Sequence, residues 1–238
     1  MSGWVARRFW KEAGVAQDAA GFAVELDGRR VRTPAKAPLI LPTRALAQAV
    51  ADEWDAQDGQ VQPATMPFTR TANSAIDKVT PQFAEVAGML AAYGDSDLLC
   101  YRAEAPQDLI VRQATAWDPA LDWAAADLGA RLSPRQGIVH AAQDPGALRR
   151  LSDLVHALTP FQLAAFHDLV ALTGSLVLGF AATRGWRDPD DIWAISRLDE
   201  LWQEELWGRD DEAHEMSEVK RAAFLHAHAF FHACTARD

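Results

Sequence analysis

His226, His228 and His232 stand close together in the run HAHAFFH near the C-terminus. His228 and His232 are four residues apart, so on a helix they share a face, as two zinc ligands would. No HExxH accompanies them and no third ligand follows at short spacing. Histidines in the last turns of a helix also have a plain electrostatic reason to be there. Cys100 could be a nucleophile, but it follows Leu98 and Leu99 in an apolar run, and a buried thiol is inert. It and Cys234 form no metal spacing or disulfide framework and read as free thiols. Ser175 in TGSLVLG lacks the strand–turn context of a nucleophile elbow. Neither GxGxxG nor GxxxxGK[ST] occurs, so no phosphate-binding loop is encoded. Carboxylates are abundant, which leaves a carboxylate- or His/metal-dependent hydrolase as the enzymatic alternative.

The densest chemistry lies in residues 188–218. This stretch carries twelve acids against two arginines, a net of −10, which equals the net charge of the whole 238-residue chain, and three of the nine tryptophans. Projected as one helix, Ile192, Ile195, Leu198, Trp202 and Leu206 form a broad apolar stripe that reads as the core face. Trp193, Glu200, Glu204 and Trp207 fall on a second stripe. Two indoles flanking two carboxylates suit a partner-binding surface, where the rings anchor and the acids select a basic or backbone-donating partner. The plainer reading is that both indoles pack under a neighbouring helix while the acids are solvated. Asp199 projects onto the edge of the core face and is expected to be paired or to sit at a helix junction.

These residues need a scaffold, and the chain supplies two kinds. Residues 1–43 read as a small β domain. Phe22, Val24 and Leu26 alternate with Ala23 and Glu25, Asp27-Gly28 makes a turn, and Pro38–Pro42 reads as a short edge strand. Trp4, Phe9 and Trp10, with Arg7, Arg8 and Lys11 between them, read as an N-terminal strand packed on that sheet. At Thr43 the period changes to helical, with Leu46, Val50 and Trp54 at i, i+4, i+8. Residues 44–238 read as a larger helical domain, and the class is α+β. Within it the sequence predicts a helix capped by Thr80-Pro81. It also predicts a break at Trp117-Asp118-Pro119, one long apolar helix over 161–184, an acidic helix capped by Asp188-Pro189, and a last helix over 211–234. No apolar run approaches the roughly 20 residues that span a bilayer. The acidic balance argues against nucleic acid and anionic membrane as partners. No long heptad seam demands an oligomer, so a monomer is expected.

Several of these segments together resemble a known family. They are Phe9-Trp10-Lys11, GFAVELDGRRVRTP (21–34), PLILPT (38–43), ADEWDAQ (51–57), MPFTRTANSAID (66–77), GDSDLLCYRA (94–103), WDPALDW (117–123), TGSLVL (173–178) and DELWQEELWGRDDEA (199–213). In this order they resemble the assembly chaperones of F-type ATP synthase that handle the alpha subunit of the catalytic head. The resemblance implies a β N-terminal domain, a helical C-terminal domain, no catalysis and no cofactor. It implies a protein that shields the new alpha subunit until the beta subunit replaces it. The family's important acid matches Glu200, with Asp199 as the adjacent possibility, and Trp54 matches a second important position whose spacing suggests a supporting role. Eukaryotic members act in the mitochondrial matrix behind a transit peptide. This sequence starts almost at Phe9-Trp10-Lys11 and is similar to a bacterial, cytoplasmic member.

Overall fold

The N-terminal alternation builds β1 (Ala13–Asp18) and β2 (Gly21–Leu26), antiparallel with Val15 opposite Val24 and Gln17 opposite Phe22. Asp27 (φ 48°) and Gly28 (φ 75°) both take positive φ, the backbone of a tight primed turn whose twist matches the flanking strands. That turn leads into β3 (Arg29–Arg30), where Arg30 lies opposite Glu25. β4 (Ile40–Leu41) pairs the start of β2, as its flanking prolines suggest for an edge. Gly21 sits where β4 passes; a Cβ there would stand 2.3 Å from the Leu41 carbonyl oxygen, and its φ is +147°. Gly21→Ala is therefore expected to cost roughly 2 kcal/mol, read as a lower urea midpoint.

Described in this computed structural model are residues 7–236, so Trp4 falls outside them. They divide into two units: residues up to Phe83 with Thr159–Ala165 and the segment from Ala229, and Ala84–Leu158 with Phe166–His228. In the first unit α1 (Arg44–Asp55) lies on β1 and β2, burying Leu46 and Val50. Thr43 caps it by accepting the Leu46 N–H at 3.2 Å. Trp54 is half-buried and meets the buried Trp10 edge-on at 5.3 Å, a packing role. No strand forms around Trp10; the described residues there make only an isolated bridge between Arg7 and Gln60. Glu53 of α1 caps α2 (Pro67–Ser74), accepting from the N–H groups of Phe68 and Thr69 at 2.7 and 2.8 Å. α2 runs on into a π turn, Ala75–Val79. Thr80 closes that turn by donating both its N–H and its hydroxyl to the Ala75 carbonyl, so it caps no following helix, and α3 (Phe83–Ala91) starts later than the Thr80-Pro81 signal predicts.

The second unit is helical apart from a two-residue parallel ladder between β5 (Tyr101–Arg102) and β6 (Arg135–Gln136). α4 (Gln107–Trp123) carries Pro119 in its interior, where the sequence predicts a break. Proline removes one helical hydrogen bond and costs about 3 kcal/mol there. The offsetting term is burial of Trp117, which is fully inaccessible and donates its indole N–H to the Ile195 carbonyl at 3.0 Å. α5 (Pro145–His156) follows, capped by Asp144.

The apolar stretch over 161–184 is two helices, α6 (Pro160–Thr173) and α7 (Leu176–Thr183). Gly174 turns left-handed (φ 68°), and Ser175 caps α7 by accepting from the Leu178 N–H at 3.0 Å. The break is fixed by Asp97, which is wholly buried. Its carboxylate accepts from the Ser175 hydroxyl at 2.7 Å, the Val177 N–H at 3.0 Å and the Leu99 N–H at 3.1 Å. Burial pushes the Asp97 pKa up to about 6, against the pull of those hydrogen bonds. Beside it, Cys100 is fully buried and its thiol is pushed up to about 12, first by burial and then by the Asp97 charge. The chain ends in α8 (Pro189–Ser196), α9 (Leu198–Trp207) and α10 (Asp211–Ala233). Among the described residues, no helix is long and apolar enough to cross a membrane.

Candidate functional site

The acidic stretch belongs to the second unit and is not one helix. Asp188 caps α8 by accepting from the Asp190 N–H, with Pro189 next and two acids in the first turn, as the sequence predicts. The helix then breaks at Arg197, whose φ and ψ are −104° and 15°. Two bonds explain the break. The Trp117 indole takes the Ile195 carbonyl, which an unbroken helix would offer to the Asp199 N–H. The Ser196 hydroxyl donates to the Trp193 carbonyl at 2.7 Å, and α8 ends there.

That break resets the helical phase: Ile192, Ile195 and Leu198 of the expected core stripe are buried, but the stripe does not continue along α9, and the second stripe is split between the two helices. Trp193 is only 5 % exposed. It packs on Phe224 of α10 at 5.7 Å, beneath the Arg197 guanidinium, also 5.7 Å from its ring. Leu206, expected in the core, is 57 % exposed, and Trp202 is half-buried rather than enclosed. Trp207 is 78 % exposed at the end of α9. Trp193 thus lies in the core and does not share a face with Trp207. Glu200 is exposed and Glu204 half-buried, both on α9.

With Leu198 its only buried residue, α9 is held mainly by side-chain clamps to α4. Asp199 accepts from Gln113 Nε2 at 2.7 Å, in keeping with its expected paired position. Gln113 is itself buried, and its Oε1 accepts the Ala103 N–H at 2.8 Å. Arg112 forks onto Glu205 through two bonds of 2.6 and 2.7 Å and lies over the Trp202 ring. That pairing holds the Glu205 carboxyl below its usual range and raises Arg112. Glu200 pairs with Arg197 at 2.5 Å, one turn back. On α8, Asp190 pairs with Arg221 of α10 at 2.6 Å. What α9 then offers to solvent is a carboxylate surface beside the bared Trp207 and Leu206, on a helix whose position is fixed from below.

Sequence reasoning missed Arg112 and Gln113. They sit in α4, far along the chain, and a buried glutamine leaves no periodic signal. Among the described residues, no group of three or more His, Cys, Asp or Glu is arranged to hold a metal, so His228 and His232 gain no third ligand.

A family model described as ATP12 chaperone protein matches residues 7–125. The chain is 50 % identical to Atp12 from Paracoccus denitrificans, whose crystal structure matches with a TM-score of 0.94 over 96 % of this chain and 98 % of that one. A crystal structure from Agrobacterium tumefaciens matches at 40 % identity with a TM-score of 0.92, covering 96 % of this chain and 86 % of that one. The mitochondrial protein atp12 of Schizosaccharomyces pombe is 27 % identical over 224 residues, 88 % of this chain and 76 % of that protein.

Proposed function

The chain belongs to the ATP12 family of ATP synthase assembly chaperones, and on that premise we propose that its client is the unassembled alpha subunit of the catalytic head. It binds and shields that subunit until the beta subunit replaces it, and it does so without catalysis. The contact surface is α9. Glu200 and Glu204 meet basic or N–H-donating groups of the client, and Trp207 is the apolar anchor. Asp199 and Trp193 act beneath them: Asp199 fixes α9 to Gln113, and Trp193 supports the Arg197–Glu200 pair. The protein works as a monomer in a bacterial cytoplasm, which its likeness to bacterial relatives supports.

The observation that carries this reading is Trp207, 78 % exposed beside carboxylates on a clamped helix. Tryptophan is enriched among the residues that anchor protein–protein contacts, and here it stands next to exposed Leu206. Co-purification with the alpha subunit, and suppression of its aggregation by light scattering, test the reading directly; neither occurring would sink it. Persistent one-to-one association with finished ATP synthase would instead make the protein a subunit. Trp207→Ala is expected to weaken the complex about tenfold. Its own stability should stay within about 0.5 kcal/mol of the unmodified chain, measured by denaturant titration, because the ring is not in the core.

A further inference from the structure

We propose that the contact surface continues from α9 onto the first half of α10, and that its occupant is one segment of the same client carrying apolar and basic side chains on a single face. This rests on the chaperone reading above and names the chemistry of the segment that is held.

Five of the ten large apolar side chains that stand exposed among the described residues fall within 201–219: Leu201, Leu206 and Trp207 on α9, and Met216 and Val219 on α10. The core makes no use of the second pair. Between Asp211 and Lys220, α10 buries no residue; His214 and Ser217 alone are half-buried, and burial begins further on, with Phe224 and Ala227. At 100° per residue, His214 and Ser217 define the inner face of this half. Met216, Val219 and Glu212 lie together on the opposite face, with Met216 53 % and Val219 62 % exposed.

Local terms are enough to form this helix. Asp210 caps it, accepting the Glu212 and Ala213 N–H groups at 3.0 and 3.1 Å. Two acids occupy its first turn, and Glu218 pairs with Arg221 one turn on. An exposed valine even weakens a helix relative to alanine. Met216 and Val219 therefore serve neither the core nor the helix. Only Gly208, Arg209 and Asp210 join the two helices, so Trp207 stands next to the start of α10, and Val219 lies about 12 Å along it. One short segment of client reaches both.

Charge says what that segment carries. Consider the arginines and lysines on these helices, at their ends or reaching them through an ion pair. Arg112 is held by Glu205, Arg197 by Glu200, Arg209 by Asp211, and Arg221 by Asp190 and Glu218. Among the described residues only Lys220 is left without an ion pair, while Glu204, Glu212 and Glu215 have none either. After internal pairing the surface is still acidic, and Glu212 shares the outward face of Met216 and Val219. The complement is a segment whose apolar side chains cover these two and Trp207 and whose lysines or arginines meet the three free glutamates.

The test uses the full chain and purified alpha subunit, with affinity read by calorimetry. Met216→Ala/Val219→Ala is expected to bind about tenfold more weakly than the unmodified chain with an unchanged melting curve, because both side chains are exposed and alanine keeps the helix. Binding within twofold of the unmodified chain refutes the extension onto α10 and leaves the chaperone reading in place. Failure of the unmodified chain to hold the alpha subunit overturns both. Val219→benzoylphenylalanine, irradiated in the complex, identifies the occupant: it should cross-link to a client peptide richer in lysine and arginine than in aspartate and glutamate. A cross-link to a neutral or acidic peptide, or no cross-link, overturns the proposal.

Discussion

Glu200→Lys is expected to weaken the complex with the alpha subunit roughly a hundredfold while leaving the protein folded. The two halves of this expectation have separate causes. Glu200 is exposed, and its ion pair among the described residues, to Arg197, is a surface pair one helical turn long. Such pairs contribute about 0–1 kcal/mol, so losing it hardly moves the melting temperature. On the proposed contact surface the change is larger, because the basic client groups proposed to meet Glu200 would face a lysine, with Arg197 adjacent and no longer neutralised. Affinity measured by calorimetry should fall while circular dichroism and thermal melting stay near those of the unmodified chain. Loss of folding would reassign Glu200 to a structural role, and unchanged affinity would remove it from the contact surface.

Asp97→Ala should have the opposite profile, with large damage to stability. The carboxylate is wholly buried and accepts three hydrogen bonds, two from the start of α7 and one from Leu99. Removing it strands buried donors and uncaps α7, at a cost on the order of 4 kcal/mol. For a chain of this length that lowers the melting temperature by roughly 10 °C. The effect also has a pH signature. Burial raises the Asp97 pKa from 3.8 to about 6, so between those values the folded state holds a proton that the unfolded state has released. The contribution of this group to stability is fully present below pH 3.8 and is lost as pH rises through about 6. The difference in unfolding free energy between the unmodified chain and Asp97→Ala should therefore be wider in acid than at pH 7. A gap that stays flat with pH would show that the carboxylate ionises as freely as in water.

Where local signals were sufficient, the sequence and the structure agree. The Asp27-Gly28 hairpin, the Thr43 cap with Leu46 and Val50 beneath it, the Asp188-Pro189 start of α8 and the extent of α10 all depend on residues within a few positions of one another. The discrepancies share a different cause. Asp97 lies far upstream of α7 yet decides where that helix begins, and Trp117 captures a carbonyl of Ile195 and so ends α8. Pro119 survives inside α4 because the tertiary burial around it outweighs its local cost. A helical wheel takes one phase for the whole segment, so the interruption at Arg197 moved Trp193 into the core and Leu206 out of it. The charge of the site was legible, since it needs only a count. How α9 is held was not, because Arg112 and Gln113 reach it from another helix.

The break at Arg197 also separates two helices of unequal burial. α8 buries Ile192, Trp193, Ile195 and Ser196, whereas α9 buries only Leu198 and relies on its bonds to Arg112 and Gln113. Few buried contacts mean a small free energy of local opening. α9 can therefore fray and re-form while α8 and the core stay shut, and its backbone amides should exchange with solvent far sooner than those of α8. A client that gripped α9 would act on the protein's own fluctuations: it would quiet a segment that opens more readily than α8, and on departing would let that segment loosen again while α8 stays closed.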